Sequence, residues 1–356
     1  MSASTTPPAN APASGERPAV SSGARSGKQS GTRTGARTGT RPSTELPVLA
    51  EVVRSGFTEG SHRGSVVALG PDGGVEWSLG EVTAPVYPRS SNKPMQAAAV
   101  LHAGLELSGE RLALAAASHS GEPFHLELVR TMLAEHGMTE DDLGCPPDLP
   151  LDREEADRFL AAGSRPSRTA MNCSGKHTAM LAACRVNGWS GADYLDPGHP
   201  LQVLVRERIE AAAGEPVAHT GTDGCGAPLM AISLTGLARA FHSFVLAAPG
   251  TPERRVADAM RAHPEYVAGT RREDTRLMRG VPGALAKVGA EAVQAVALPD
   301  GRALAVKVED GGPRALGPVL ARTLARMGVE SPVLAEIGDA PLLGGGRRVG
   351  EIRATF

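Results

Sequence analysis

The sequence predicts an α+β fold with one central antiparallel sheet, built from strands near both ends of the chain and covered by helices. Short apolar segments bounded by turn residues lie at 48–79 and at 291–308, and a last one lies at 347–354. Such segments predict strands. Helical patterns occupy most of the chain between them, and no internal repeat is present. Terminal strands with helices between them are typical of an α+β domain.

The elements follow in order. Strands are predicted at 48–53, 64–69 and 75–79, and the turn Pro71-Asp-Gly-Gly joins the last two as a hairpin. A second hairpin is predicted at 291–298 and 302–308 around Pro299-Asp-Gly, followed by the strand at 347–354. The predicted helices lie at 94–106, 123–137, 153–162, 172–186, 201–213, 254–262, 274–279 and 317–327. Segment 112–117 is a short apolar run that leads into a polar loop, and 229–244 is mostly apolar.

Residues 1–44 are predicted to be a disordered basic tail, and residues 45–356 a catalytic domain. The tail consists mainly of Ser, Thr, Gly, Ala, Pro and Arg, which cannot bury enough surface to offset the entropy lost on ordering. It lacks the apolar segment of a secretory signal, and no apolar stretch in the chain reaches membrane-spanning length. These features predict a cytoplasmic protein without a membrane partner.

The charge distribution argues against nucleic acid as a partner. Six of the 37 basic residues and one of the 39 acidic residues lie in the tail. The remainder has 31 basic and 38 acidic residues, a net charge of −7. A domain that acidic is not expected to bind a polyanion.

Ser90 and Lys93 form an S-x-x-K element within PRSSNKPMQ, residues 88–96. If a helix begins here, Lys93 lies one turn after Ser90 on the same face, where its neutral amine can accept the hydroxyl proton. The tetrapeptide alone favours an ordinary capped helix, with Ser90 or Ser91 as N-cap and Lys93 in solvent. Other features of the sequence must therefore decide between the two interpretations.

Lysine is rare in this chain, because 32 of the 37 basic residues are arginines. The five lysines are Lys28, Lys93, Lys176, Lys287 and Lys307. Arginine stays charged at any working pH, whereas lysine can lose its proton on burial and act as a base or a metal ligand. Apart from Lys28 in the tail, the lysines therefore mark candidate functional positions.

The four cysteines, Cys145, Cys173, Cys184 and Cys225, are interpreted as free thiols or metal ligands, since a long chain without a secretory signal does not favour disulfides. No C-x-x-C pair is present, so any metal site must combine distant segments. By itself Cys173 is typical of a buried thiol. Lys176, on the same helical face, would be an unusual zinc ligand.

The predicted layout resembles that of serine β-lactamases, penicillin-binding proteins and serine-type glutaminases. In those proteins S-x-x-K begins a helix beside the sheet, and a second lysine comes from a late strand. Lys287-Val-Gly lies where those enzymes carry Lys-Thr-Gly. The sequence has no S-D-N triplet, which argues against recognition of penicillins.

Seven motifs together resemble, in order and spacing, the L-asparaginase II family of the rhizobial type over about residues 46–355. They are RSSNKPMQ (89–96), SHSGE (118–122), CSGKH (173–177), TDGCG (222–226), the segment from VAG at 267 to Arg279, KVGAE (287–291) and KVEDG (307–311). The resemblance implies a serine β-lactamase/glutaminase-like fold, hydrolysis of L-asparagine to L-aspartate and ammonia, and a homodimer.

The resemblance also implies the roles of individual residues. It implies two Ser–Lys pairs, Ser90 with Lys93 and Ser118 with Lys287. It implies a zinc ion held by Cys173, Lys176 and Cys225, interpreted as an organiser of the substrate and not as the source of the nucleophile. Substrate contacts are predicted for Arg89, Asp223 and Glu122, with Arg89 facing the α-carboxylate and Asp223 the α-ammonium group. One departure is Asp274, where the compared family member has a cysteine.

Several alternatives stay open at this point. A glutaminase or a serine β-lactamase-like hydrolase would share the predicted fold. In a zinc hydrolase, metal-bound water would be the nucleophile and the serines would only bind substrate. A non-catalytic amino-acid sensor would bind without turnover. The sequence does not choose between asparagine and glutamine.

Overall fold

A computed structural model describes residues 45–356, so the predicted disordered tail lies outside the described residues. The strands, in chain order, are β1 (Val48–Arg54), β2 (Phe57–Leu69), β3 (Val75–Leu79), β4 (Pro85–Val86), β5 (His219–Thr222), β6 (Pro228–Ser233), β7 (Leu285–Gly289), β8 (Val293–Ala297), β9 (Ala303–Val308), β10 (Pro341–Gly344) and β11 (Arg347–Ala354). The helices are α1 (Lys93–His102), α2 (Gly109–Ala115), α3 (Pro123–Glu135), α4 (Arg153–Ala161), α5 (Ser174–Asn187), α6 (Pro200–Ala213), α7 (Leu234–Leu246), α8 (Pro252–Ala262), α9 (Pro264–Val267), α10 (Glu273–Gly280), α11 (Leu316–Arg326) and α12 (Val333–Gly338).

The main sheet joins the two ends of the chain. Its strand order is β10-β11-β1-β2-β9-β8-β7, with β3 paired to β2 beside this series, and its neighbouring strands are antiparallel. The C-terminal strand β11 pairs with β1, and Val52 lies opposite Ile352. The predicted α+β fold, with terminal strands in one antiparallel sheet, is confirmed.

Helices cover the sheet. Both α7 and α11 pack against β8 and β9, and the residues of these two strands are almost all buried. Burial on both faces explains why these strands read as continuous apolar runs without alternation. Helix α1 is buried from Lys93 to Leu101 and contacts α5, α6 and α8. A helix buried on all sides fits its alanine-rich sequence, because small side chains permit close packing.

The structure differs from the sequence prediction in several elements. Residues 109–115 form helix α2 and 228–233 form strand β6, which the sequence analysis had treated only as apolar segments. Strand β6 lies between β4 and β5 in a second, three-stranded sheet that was not predicted. Every residue of β6 is buried, so the sequence offered no polar alternation from which a strand could be recognised.

Strand β7 is held against the start of α1, and this packing fixes two functional segments relative to each other. The Ser91 hydroxyl donates to the Lys287 carbonyl at 3.0 Å. A Cβ at Gly289 would lie 2.4 Å from the Pro88 carbonyl oxygen, so only glycine permits this approach. The segments that carry Ser90 and Lys287, almost two hundred residues apart in sequence, therefore meet in the fold.

No helix within residues 45–356 combines the length and apolarity that spanning a bilayer requires. The structure contains a single chain, so the homodimer stays a prediction. The cytoplasmic location also stays a prediction.

Candidate active site

A cavity of about 460 Å³ collects most of the residues that the sequence analysis selected. Its walls include six of them, namely Arg89, Ser90, Ser118, Cys173, Asp223 and Cys225. The three lysines selected with them, Lys93, Lys176 and Lys287, are buried with at most 3% exposed surface. These six residues thus present hydroxyls, thiols and charged groups from four separate segments of the chain.

Ser90 lies in a short 3₁₀ turn, 89–92, immediately before α1. Arg89, which precedes it, has a left-handed backbone with φ of 51°, a conformation that costs a non-glycine residue about 1–3 kcal/mol. The Arg89 guanidinium lies 2.8 Å from the Asp223 carboxylate and 3.6 Å from Glu291, so two ion pairs hold the turn in place. Within the described residues the Ser90 hydroxyl has no hydrogen-bond partner, and it faces the cavity.

The Lys93 amine is the centre of a buried hydrogen-bond network. Its Nζ atom lies 2.9 Å from Ser118 Oγ, 3.1 Å from Cys173 Sγ and 2.5 Å from the Ala117 carbonyl oxygen. These bonds join Lys93 to the second serine, whereas the resemblance had paired it with Ser90. The side chain of Lys93 extends from the first residue of α1 into the core, while the strained turn before it directs Ser90 to the cavity.

Lys287 is fully buried beside a carboxylate. Its Nζ atom lies 3.6 Å from Asp274 Oδ2 and donates to the Val288 carbonyl at 2.8 Å. Burial lowers the pKa of Lys287 to about 7, against the opposing effect of Asp274 and with help from the charges of Lys93 and Arg272. Within the described residues Lys287 makes no hydrogen bond to Ser118, its partner in the implied second pair.

Asp274, which stands where the compared family member has a cysteine, is held by hydrogen bonds. Its carboxylate accepts hydrogen bonds from the Val288 backbone N–H at 3.0 Å and from the Gln294 side-chain amide at 2.8 Å. It is buried, so the charge of Lys287 offsets part of the cost of taking a carboxylate out of water. A cysteine at this position would not supply that negative charge at neutral pH.

The lowered pKa of Lys287 predicts a pH-dependent contribution to stability. The folded protein releases this proton near pH 7 and the unfolded chain near 10.5, so between these values the unfolded chain binds more protons. Stability conferred through this site should therefore rise with pH, by up to about 1.4 kcal/mol per pH unit. Urea denaturation of the wild type and of Lys287→Met at pH 7, 8 and 9 measures it. The unfolding free energy of the wild type should increase relative to that of Lys287→Met as pH rises. A difference between the two proteins that does not change with pH would contradict this.

Two thiols and an amine meet at the position where zinc was predicted. Lys176 Nζ donates to Cys225 Sγ at 3.1 Å, and the Cys173 thiol donates to Asn172 Oδ1 at 3.0 Å. The neighbouring Cys173 thiol and the charge of Lys176 hold the pKa of the Cys225 thiol far below its ordinary value. Burial lowers the pKa of Lys176, but the adjacent thiol groups raise it more, and the pKa of Lys176 lies above the ordinary range. Cys225 and Lys176 thus form a thiolate–ammonium pair.

This donor set has the ligand chemistry of zinc once Lys176 loses its proton, because an ammonium has no lone pair for a metal. Zinc binds cysteine sulfur at about 2.3 Å and nitrogen at about 2.0–2.1 Å. Lys176 Nζ lies 3.1 Å from Cys225 Sγ, Cys173 lines the same cavity as Cys225, and all three side chains are buried. Among residues 45–356, no group of three or more His, Cys, Asp or Glu side chains is placed to hold a metal. A zinc ion at this position would therefore depend on the Lys176 amine as its third ligand.

His177 lies behind the cluster as a neutral ring. Tyr194 Oη accepts the Gly144 N–H at 2.9 Å and lies 2.6 Å from His177 Nδ1. A buried hydroxyl needs an acceptor for its own proton, and Nδ1 is the acceptor at hand, so the ring hydrogen resides on Nε2. Burial lowers the pKa of His177 to about 4, and the ring lies beside Cys225. In this tautomer His177 Nε2 carries a hydrogen and has no lone pair for a metal, and within the described residues it is buried without a hydrogen-bond partner.

Glu122 ties together two loops that border the cavity. Its carboxylate accepts from the Thr270 N–H at 2.7 Å and from the Thr270 hydroxyl at 2.8 Å. Between the same two loops, the Ser118 N–H donates to the Val267 carbonyl at 2.9 Å. Glu122 does not belong to the cavity wall among the described residues. The structure gives it a loop-anchoring contact, and its predicted contact with substrate stays a prediction.

Arg272 is a cavity residue that the sequence analysis did not select. It precedes α10, and its Nη1 atom donates to the Ser118 carbonyl at 3.2 Å. A cation just before a helix N-terminus is unfavourable, because the helix dipole is positive there. That position was the only signal in the sequence, and it is weak in a chain with 32 arginines.

Comparison with known proteins identifies the family. The L-asparaginase II family matches residues 50–354. The chain belongs to the L-asparaginase II family. The predicted family is thereby confirmed, and the protein is a hydrolase that acts on amides. No curated protein sequence matches this L-asparaginase II family member significantly.

Solved structures similar to this L-asparaginase II family member include a β-lactamase from Mycobacterium bovis, with 18% identity, a TM-score of 0.40, and coverage of 75% of this chain and 95% of the other. Another is Mglu in its tris and glutamate form, with 16% identity, a TM-score of 0.41 and coverage of 79% and 63%. A third is the Bacillus subtilis glutaminase YbgJ in covalent complex with 5-oxo-L-norleucine, with 16% identity, a TM-score of 0.34 and coverage of 78% and 91%.

Proposed function

We propose that the protein hydrolyses L-asparagine to L-aspartate and ammonia through an acyl-enzyme formed on a serine. The observation that supports this most is the Lys93 amine, buried under the cavity and hydrogen-bonded to Ser118 at 2.9 Å, three residues after Ser90. A serine becomes nucleophilic when a neighbouring base removes its proton. An amine, two hydroxyls and a cavity with charges of both signs suit an amide of an amino acid.

Ser90 is the proposed nucleophile. It faces the cavity, and its hydroxyl is not engaged by another described residue, so it can approach a carbonyl carbon. Ser118 is almost fully buried, at 5% exposure, and its hydroxyl is bound to Lys93. That position suits a proton relay better than attack on the substrate.

In the proposed reaction Ser90 Oγ forms a bond to the side-chain amide carbon, and neutral Lys93 accepts the Ser90 proton. The Ser90 hydroxyl must turn towards Lys93 for this step, because in the structure Lys93 contacts Ser118. Ser118 then passes its hydroxyl proton to the leaving nitrogen and takes a proton from Lys93 as the C–N bond breaks. Ammonia leaves, and an aspartyl ester remains on Ser90. Water hydrolyses the ester with the same groups acting in reverse, which returns Ser90 and releases L-aspartate.

Zinc is proposed at Cys173, Lys176 and Cys225. When bound there, it would polarise or orient a polar group of the substrate, because Cys173 and Cys225 lie in the cavity wall. The proton transfers described above use Ser90, Lys93 and Ser118, and Lys287, whose pKa burial lowers to about 7, is proposed as a further proton acceptor paired with Ser118. None of these transfers requires the metal. The metal-water alternative predicts instead that activity disappears with the metal and that no acyl-enzyme forms.

Ammonia release from asparagine, glutamine and a chromogenic β-lactam tests the proposed function. Asparagine should be hydrolysed about 10- to 200-fold faster than glutamine, since one methylene in a tight site is worth about 1–3 kcal/mol. The β-lactam should be left intact because the sequence has no S-D-N triplet. Equal rates on the two amides would contradict the selectivity, and binding without turnover would favour the sensor alternative.

Replacing Cys225 by serine tests the role of zinc. The variant should bind zinc more weakly in a competition with a chromophoric chelator, because a hydroxyl is a poorer ligand than a thiolate. It should raise KM more than it lowers kcat if the metal organises the substrate. The matched control is Cys184→Ser, a buried thiol outside the cavity wall, which should leave both constants unchanged. Complete inactivation reversed only by added zinc would support the metal-water alternative.

A further inference from the structure

Arg272 has a positive charge in the cavity wall without a counter-charge from the described residues. Within residues 45–356 the guanidinium makes one hydrogen bond, to the Ser118 carbonyl at 3.2 Å, and no described carboxylate forms an ion pair with it. The side chain is half-buried. Removing a guanidinium from water without a partner is costly, and a bound anion would offset that cost.

The other arginine in the cavity wall, Arg89, already has counter-charges. The Arg89 guanidinium is 2.8 Å from Asp223 and 3.6 Å from Glu291, so two carboxylates already neutralise its charge. A substrate carboxylate at Arg89 would meet repulsion from both. Arg272 therefore attracts an anionic ligand more strongly than Arg89 does, although the sequence analysis had assigned this role to Arg89.

The position of Arg272 relative to the serines limits the length of the ligand. Arg272 donates to the backbone carbonyl of Ser118, the residue whose hydroxyl is bound to Lys93. A carboxylate held there shares one cavity with the hydroxyls of Ser90 and Ser118. In asparagine two carbon atoms separate the amide carbon from the α-carboxylate carbon, which spans about 4 Å.

We propose that Arg272 binds the α-carboxylate of the substrate and so restricts the enzyme to short amides with a free carboxylate. The guanidinium fork matches a carboxylate through two parallel hydrogen bonds. Asp223, held by Arg89, then faces the α-ammonium group. This inference rests on the proposed function, since it names the group that recognises the amide substrate.

The test compares substrates that differ by one charged group, in the wild type, Arg272→Gln and the control Arg279→Gln. Arg279 lies on α10, the helix that Arg272 precedes, and its ion pair with Glu265 is exposed. The substrates are L-asparagine, succinamate, which lacks the ammonium group, and β-alaninamide, which lacks the carboxylate. Arg272→Gln should reduce kcat/KM for the first two by about 10- to 150-fold and leave β-alaninamide within threefold. An equal loss on all three substrates would count against carboxylate binding by Arg272, and the control should change none of them.

Calorimetric titration with L-aspartate adds a measurement that needs no turnover. The wild type and Arg279→Gln should bind it, and Arg272→Gln should bind it at least tenfold more weakly. Equal affinity in Arg272→Gln, or a substrate-dependent loss that appears in Arg89→Gln instead, would overturn the assignment. If L-aspartate binds through Arg272 but no amide is hydrolysed, the proposed function fails and carboxylate binding by Arg272 stands. If asparagine turns over but Arg272→Gln affects all substrates equally, carboxylate binding by Arg272 fails and the proposed function stands.

Discussion

Replacing Ser90 by alanine will reduce kcat for asparagine by several orders of magnitude, to a residual rate without an acyl-enzyme. Loss of a serine nucleophile in hydrolases costs up to about 10⁶-fold in kcat, because the covalent route disappears altogether. Ser118→Ala should lose about 10²- to 10⁴-fold, the range typical of a proton-transfer group, since Ser90 can still attack. Steady-state ammonia release, followed to long times, measures both losses.

The neighbouring hydroxyl is the control for this experiment. Ser91 is buried and donates to the Lys287 carbonyl at 3.0 Å, away from the cavity wall. Ser91→Ala should cost about 1 kcal/mol of stability, the net value of one hydrogen bond, and should keep kcat within tenfold of wild type. If Ser118→Ala is inactive while Ser90→Ala retains substantial turnover, the roles of the two serines are reversed.

Replacing Lys93 by arginine will reduce kcat by about 10²- to 10⁴-fold, or about 2.7–5.4 kcal/mol of barrier, and Lys287→Arg should have a similar effect. Arginine keeps the positive charge, so a purely electrostatic role would survive the change. A proton-accepting role would not, because the guanidinium stays charged at working pH. Since both side chains are buried, Lys93→Met and Lys287→Met should be compared by near-ultraviolet circular dichroism to confirm folding.

Lys307→Arg is the internal control for the lysines. Lys307 lies on β9, and its amine donates to the Glu291 carbonyl at 2.6 Å, a structural contact that arginine can also make. It should cost less than tenfold in kcat. If all three arginine variants behave alike, the rarity of lysine reflects composition alone, and the assignment of Lys93 as base is wrong.

Much of the fold was predictable because local patterns and the final structure agree. The strand predicted at 347–354 coincides with β11, and the helix predicted at 201–213 differs from α6 by one residue. The small sheet was not predictable, since β6 is buried throughout and continues directly into α7. An apolar run without alternation does not distinguish a buried strand from a buried helix.

The candidate site was predictable in its residue types more than in its contacts. The lysine argument selected Lys93, Lys176 and Lys287, and all three are buried at or beside the cavity. The bond between Lys93 and Ser118 joins residues on different segments, so their spacing in sequence carried no information about it. Arg272 was missed for a related reason, because its lack of a counter-charge is a property of the fold.

Rapid acid quenching of the wild type with L-asparagine, followed by peptide mass spectrometry, tests the central claim most directly. The proposed mechanism predicts an aspartyl ester on the peptide that contains Ser90, formed within the first turnovers and lost in Ser90→Ala. Slow hydrolysis of the ester would also give a burst of ammonia equal to the enzyme concentration. Steady ammonia release with no adduct on any serine peptide at any time, together with loss of activity on chelation, would contradict the acyl-enzyme and support metal-bound water as the nucleophile.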